Sequence, residues 1–191
     1  MPWVGRNTDQ NPGMTSAEQE QNVSMIAAFF RNRGWTDNAI AALCGNMQIE
    51  SYLNPGQYEL NRNYNPQFGF GLVQWTPYTK YSEWAGTDWA TNYNKQLMRI
   101  QYELENGLQW IPVSAYNYMT FYQFSQSVDT PEYLVMAFEY SYERGTPFTE
   151  QREAAARRWF EYLGGISPTP VGNLPVWLLF KLRWNNKGRW T

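Results

Sequence analysis

The stretches "GNMQIES" (45–51) and "GFGLVQWT" (69–76) decide the fold. The first closes an apolar run in which Thr36 is placed to cap a helix and Ala39, Ile40, Leu43 and Met47 recur at helical spacing. At about 100° per residue, its one late acid, Glu50, falls near the Leu43 and Met47 side and is predicted to point inward. "NPG" (54–56) ends that helix, and the Asn, Pro, Gly and Tyr of residues 54–67 predict an irregular loop. The second stretch is short and apolar with two glycines. It predicts a strand or tight hairpin where backbone comes close to something.

Outward from this pair the chain is helical. Thr15 and Glu18 have the spacing of a capping box, Val23, Ile26, Ala27 and Phe30 follow at helical intervals, and Gly34 is a stop. Thr76 and Pro77 have the chemistry of a helix start running to about Ala85. Tyr93, Leu97, Ile100 and Leu104 mark a further helix, Thr120 a short one, Thr130 with Pro131 another reaching Gly145, and Thr149 a last one ended by Gly164 and Gly165. The expected class is α+β, mainly α: six or seven helices around one small β-hairpin. Residues 1–14 are expected to be an unstructured N-terminal extension, residues 15–165 one domain, and "ISPTPVGNLP" (166–175) a linker to a C-terminal segment.

Composition narrows the chemistry. There is no histidine, which excludes a Ser-His-Asp triad, a Cys-His pair and a His-ligated zinc, so carboxylates must do any catalysis. The lone Cys44 sits in an apolar helical run and is expected to pack as a small hydrophobe. Aromatic residues make up 18 % of the chain, with ten Trp and fourteen Tyr. Such rings serve cores, and they also suit a cleft that stacks sugars. A net charge of −2 argues against nucleic acid as partner. "VWLLF" (176–180) is far shorter than the roughly 20 apolar residues of a membrane span, and the first residues have no basic region followed by an apolar run, so neither a span nor a signal peptide is expected. The final "VWLLFKLRWNNKGRWT" carries Lys181, Arg183, Lys187 and Arg189 and no acid. The body before it, with 11 basic and 17 acidic residues, carries −6.

A carboxylate on an apolar helix face is costly to desolvate, so Glu50 is expected to hold its proton more tightly than an ordinary glutamate, as a general acid for a glycosidic bond requires. A plainer role is that of a helix-end residue reaching solvent or an arginine. Gln74 is placed to hydrogen-bond sugar or position a water, and Gly69 and Gly71 to let substrate approach the backbone. A helix ending in "ES", then "NPG", then "GFGLVQWT" resembles the lysozyme superfamily, and specifically the phage tail lysozyme family with its "GNM..ES" and "G.GL.QWT" elements. Lytic transglycosylases show a similar "ES" followed by "GL.Q". The resemblance covers about residues 20–165 and includes "SYERG" (141–145), similar to the family's "ERP"-type element with Gly145 in place of proline.

The resemblance implies a lysozyme-like fold and cleavage of the β-1,4 bond between N-acetylmuramic acid and N-acetylglucosamine in peptidoglycan, with Glu50 as general acid. Paired-carboxylate hydrolysis needs a second acid, and Glu59, the only acid between the Glu50 helix and Gln74, is the candidate base or nucleophile. Glu143 is a further site candidate, with an ion pair to Arg144 or Arg152 as its plainer role. Trp75, Tyr78 and Tyr81 are candidates for a sugar-stacking wall or for core. No cofactor and no metal are indicated. The resemblance also implies a protein carried on the virion, at the phage tail, with residues 166–191 free to hold other tail proteins. Two alternatives stand: a lytic transglycosylase giving 1,6-anhydro products, and a non-catalytic wall-binding tail module.

Overall fold

In the computed structural model, which describes residues 2–145 and 148–165, the capping box at Thr15 forms as its spacing predicts. Thr15 Oγ1 accepts the Glu18 amide at 3.3 Å while the Glu18 carboxylate accepts the Thr15 amide at 2.9 Å, and this reciprocal cap opens α1 (Ser16–Arg31). Thr36 accepts the Ala39 amide and starts α2 (Asp37–Ser51). Every residue of α2 from Ala39 to Met47 is buried. A helix apolar all round belongs in the middle of a fold, and α2 is that middle, packed on α1, on α5 (Phe121–Gln126), on α6 (Pro131–Phe138) and most extensively on α7 (Thr149–Tyr162). Between the loop and α5 lie α3 (Thr79–Ala85), α4 (Asn94–Glu105) and a 3₁₀ turn (Ser114–Tyr116). The described residues thus hold seven α-helices. No helix among them is long and apolar enough to cross a membrane.

The helix expected from Thr130 to Gly145 is interrupted. After α6 the chain widens into a π-helical turn (Glu139–Glu143), closed by the Arg144 amide on Glu139 O at 2.7 Å with Arg144 at φ 57°. The wider turn lets two buried polar side chains find different partners: Glu139 faces α7, while the Tyr142 hydroxyl donates to Glu103 on α4.

The β element is smaller than a hairpin. Residues 57–59 and 69–71 meet in one antiparallel bridge, Tyr58 with Phe70, flanked by Glu59 N–H to Gly69 O at 2.9 Å and Gly71 N–H to Gln57 O at 2.8 Å. Phe70 bridges back to Trp75, and no ladder of strands forms among the described residues. Gly71 at φ 85° and Gln74 at φ 47° turn the chain too sharply for pairing to extend.

Residues 2–14 have no helix, but they are not loose as the sequence suggests. The Asn22 side chain holds Val4 through both its amide and its carbonyl, Asn54 does the same for Arg6, Arg6 pairs with Glu18 at 2.6 Å, and Thr8 forms a parallel bridge with Gln57. These buried asparagines satisfy backbone groups that no regular element reaches. The linker and basic segment expected over residues 166–191 lie outside the described residues.

Candidate active site

The last turn of α2 sets the site. Ser51 Oγ donates to Met47 O at 2.8 Å and to Leu72 O at 3.0 Å, pinning the helix end to the glycine segment, and Tyr52 and Leu53 then follow with φ of 58° and 60°. Two consecutive left-handed non-glycine residues are strained, and such strain concentrates at functional sites. Beside this turn opens a cleft of about 440 Å³, lined by Ile49, Glu50 and Tyr52 of α2, residues 57–60, Gln74, Thr76, Glu143 and Gly145. The size suits a small-molecule or sugar site.

Glu50 points inward, with its side chain 21 % exposed, but its surroundings are not the apolar ones expected. Arg152 of α7, itself 1 % exposed, donates to Glu50 Oε1 at 2.6 Å and to Asn46 Oδ1 at 2.7 Å. Its Nη2 also lies 2.9 Å from Glu139 Oε2, an ion-pair contact without hydrogen-bond alignment. Asn46, fully buried, donates to Ala42 O and Val135 O, so its carbonyl is turned to the arginine.

Glu139 and Glu143 come from the π-helical turn. Burial raises the Glu139 carboxyl above its ordinary range, with the charge of Glu50 adding to it and Arg152 and the Gly145 amide opposing. Glu143 makes no ion pair among the described residues, and its Oε1 is shut off from solvent with no hydrogen bond. Burial first, then Glu50 and Glu139, push its carboxyl well above the ordinary value. Neither ion pair expected for it forms: Arg144 Nη1 turns instead to the carbonyls of Gln109 and Ser141.

Glu59 lines the same cleft, with both oxygens engaged: Oε1 accepts from Arg62 at 3.0 Å and Oε2 from the Gly69 amide at 3.1 Å. Gln74 donates through Nε2 to Gln57 O and Gly71 O, which fixes the amide's orientation and leaves Oε1 as its free acceptor. Tyr58 joins them, its hydroxyl pushed up to about 12 by burial and by neighbouring tyrosines, so it remains a hydrogen-bond donor at neutral pH.

The other expected residues lie elsewhere. A Cβ on Gly71 would stand 2.7 Å from Gln96 Oε1, and one on Gly69 2.6 Å from Gln74 Oε1. The close neighbour these glycines admit is a glutamine side chain rather than substrate. Gln96 fills its place by accepting the Leu72 amide at 2.8 Å and donating to Pro55 O at 2.6 Å. Trp75 is 3 % exposed, stacks on the buried Tyr81 at 4.7 Å and donates to Glu103, so it is core. Tyr78 stacks on Trp89 at 5.1 Å and is half-buried outside the cleft lining.

Asn46 and Glu139 escape the sequence reading, and Arg152 enters it only as a possible partner of Glu143, although signals existed. Arg152 lies on the buried stripe of α7 with Ala155, Ala156 and Trp159, and Asn46 interrupts the apolar run of α2. No group of three or more acidic, His or Cys side chains among the described residues is arranged to hold a metal ion.

The sequence is also similar to known proteins. The sequence model described as phage tail lysozyme matches residues 21–163. Morphogenesis protein 1 of Bacillus phage B103 is 39 % identical over 165 residues, which cover 85 % of this chain and 44 % of that protein. The chain therefore spans less than half the length of this relative.

Proposed function

This chain belongs to the phage tail lysozyme family, and from that membership we propose that it cleaves the β-1,4 bond between N-acetylmuramic acid and N-acetylglucosamine in peptidoglycan, with Glu50 delivering the proton. The observation that carries the reading is the convergence of Glu50, Glu59 and Gln74 on one cleft from three separate stretches of chain. Glu50, held at 2.6 Å by a buried arginine, has a fixed direction, which general acid catalysis needs as much as a proton. Gln74 Oε1 and the Tyr58 hydroxyl offer one acceptor and one donor for sugar hydroxyls or an attacking water. Glu59 is the candidate base or nucleophile.

One observation favours a second route. Both Glu59 oxygens are already engaged, which weakens it as a base. Attack by the sugar's own 6-hydroxyl would need no second acid and would leave a 1,6-anhydro end. A family described by tail lysozymes and a relative named for morphogenesis support an enzyme carried on the phage particle, opening the host wall for DNA entry. Residues 166–191 are its proposed attachment to other tail proteins.

The test is to incubate the protein and Glu50→Gln with purified peptidoglycan and weigh the soluble fragments. Reducing-end muropeptides from the wild type alone are expected. Anhydro ends would move the assignment to a lytic transglycosylase, and binding without fragments to a wall-binding module.

A further inference from the structure

Beneath Glu50 the carboxyls outnumber the base that holds them. Glu50, Glu139 and Glu143 converge on Arg152, which pairs with the first two at 2.6 and 2.9 Å. Three ionised carboxylates against this guanidinium would leave excess negative charge in a partly buried space, and such a cluster lowers its energy by keeping a proton. Glu143 is where that proton costs least to hold: its Oε1 is buried without a hydrogen bond, as is Glu139 Oε2, but Glu139 has the Arg152 ion pair at 2.9 Å and Glu143 has none among the described residues. Both Glu143 and Glu50 face the same cleft, and the π-helical turn is what brings Glu143 there.

We propose that Glu143 is a positioning residue for proton transfer at Glu50: the two carboxyls share one proton across the cleft, and Glu143 keeps it within reach of the acid. This rests on the glycosidase reading above. In the resting site the proton resides on Glu143, whose buried Oε1 has no hydrogen-bond partner, while Glu50 Oε1 is taken up by Arg152 at 2.6 Å. Glu143 passes it through cleft solvent to Glu50, and Glu50 gives it to the glycosidic oxygen as the C–O bond breaks. The attacking water then leaves its hydroxide on the anomeric carbon and its proton on the carboxyl pair, which restores the starting state. Other charged or titratable groups around Glu143 are Glu139 on its own turn, Arg152 from α7, Glu103 from α4, Tyr142 beside it, and Lys80 and Arg144 in the small recess on its far side.

Glu143→Gln keeps the shape and removes the shared proton. Glu50 is then left beside Arg152 without its partner, so the alkaline limb of the pH–rate profile should move to lower pH by one unit or more, roughly a tenfold loss at neutral pH. Turnover should persist on the acid side, where Glu50→Gln has none. A carboxyl ¹³C titration of Glu143 by NMR in wild type and Glu50→Gln reads the same sharing without any activity: the Glu143 midpoint should fall once the Glu50 charge is removed. An unmoved limb in Glu143→Gln, an unmoved Glu143 midpoint in Glu50→Gln, or loss of Glu143→Gln activity at every pH would overturn the proposal. If wild type releases no fragments, the glycosidase reading fails, and the NMR titration still decides proton sharing. Should Glu143→Gln not fold, Glu143→Ala serves for the pH–rate profile.

Discussion

Glu50→Gln changes one oxygen for an amide and leaves the Arg152 contact at Oε1 open to the amide carbonyl, so the variant should fold like wild type. Muropeptide release should nevertheless drop by more than about 99 %, since a general acid contributes roughly 10² to 10⁴ in rate. Unchanged turnover would remove Glu50 from the chemistry. Gly71→Ala makes the opposite kind of test, because the residue lies outside the cleft lining. At φ 85°, with Gln96 Oε1 at 2.7 Å from a new Cβ, it should cost about 1–3 kcal/mol in urea denaturation. Single residues were legible in proportion to how local their signal is. Glu50 and Gln74 sit in adjacent stretches of sequence, and both reach the cleft. Arg152 lies 102 positions from Glu50. The buried stripe of α7 marks it as inward-facing, yet nothing in that stripe says which helix it will meet, so the plainer role open to Glu50, reaching an arginine, could not be tied to Arg152 from the sequence.

Helix starts were legible because Thr15, Thr36, Thr120 and Thr130 cap with their own side chains, within three residues of chain. That the expected hairpin shrinks to a single bridge, and that a π-helical turn forms, were not, because each depends on distant partners: the Gln96 amide behind Gly71, and Glu103 and Arg152 on either side of the 139–143 turn. Packing of α2 against α7 gives an element-scale prediction. A Cβ at Gly45 would lie 2.9 Å from the Ala156 backbone nitrogen, which cannot swing away as a side chain tip could. Helix propensity favours Ala over Gly by about 1 kcal/mol, whereas overpacking costs about 1–3 kcal/mol. The clash should win, so Gly45→Ala is expected to lower the thermal midpoint. Because α2 carries Glu50 and α7 carries Arg152, prising them apart should also cut activity further than the stability loss explains. A more stable variant with full activity would mean the two helices separate freely.

Across the molecule, the buried carboxyls set how stability follows pH. Glu103, Glu139 and Glu143 are all raised in the folded state, chiefly by burial. A group raised on folding contributes stability that is complete below its ordinary value of 4.5 and is lost as pH climbs through the folded value. The exposed Glu18 and Asp88 are lowered by Arg6 and Lys95, and act in the other sense, losing their contribution as pH falls. Burial weighs more than exposed pairs, so the thermal midpoint should decline from about pH 5 to about pH 8, less steeply in Glu143→Gln. A midpoint rising over that interval would contradict the burial of these groups. The N-terminal segment has a mechanical consequence. Val4, Arg6 and Thr8 are fastened to Asn22, Asn54 and Gln57, and residues 57–60 form one rim of the cleft. A pull applied at Pro2 therefore loads the rim before it reaches the hydrophobic centre around α2. In an optical trap the first rip should be this strap peeling from the 54–58 loop, at a force below that which unravels the helices, so tension along the chain slackens the cleft while the rest of the molecule stays folded.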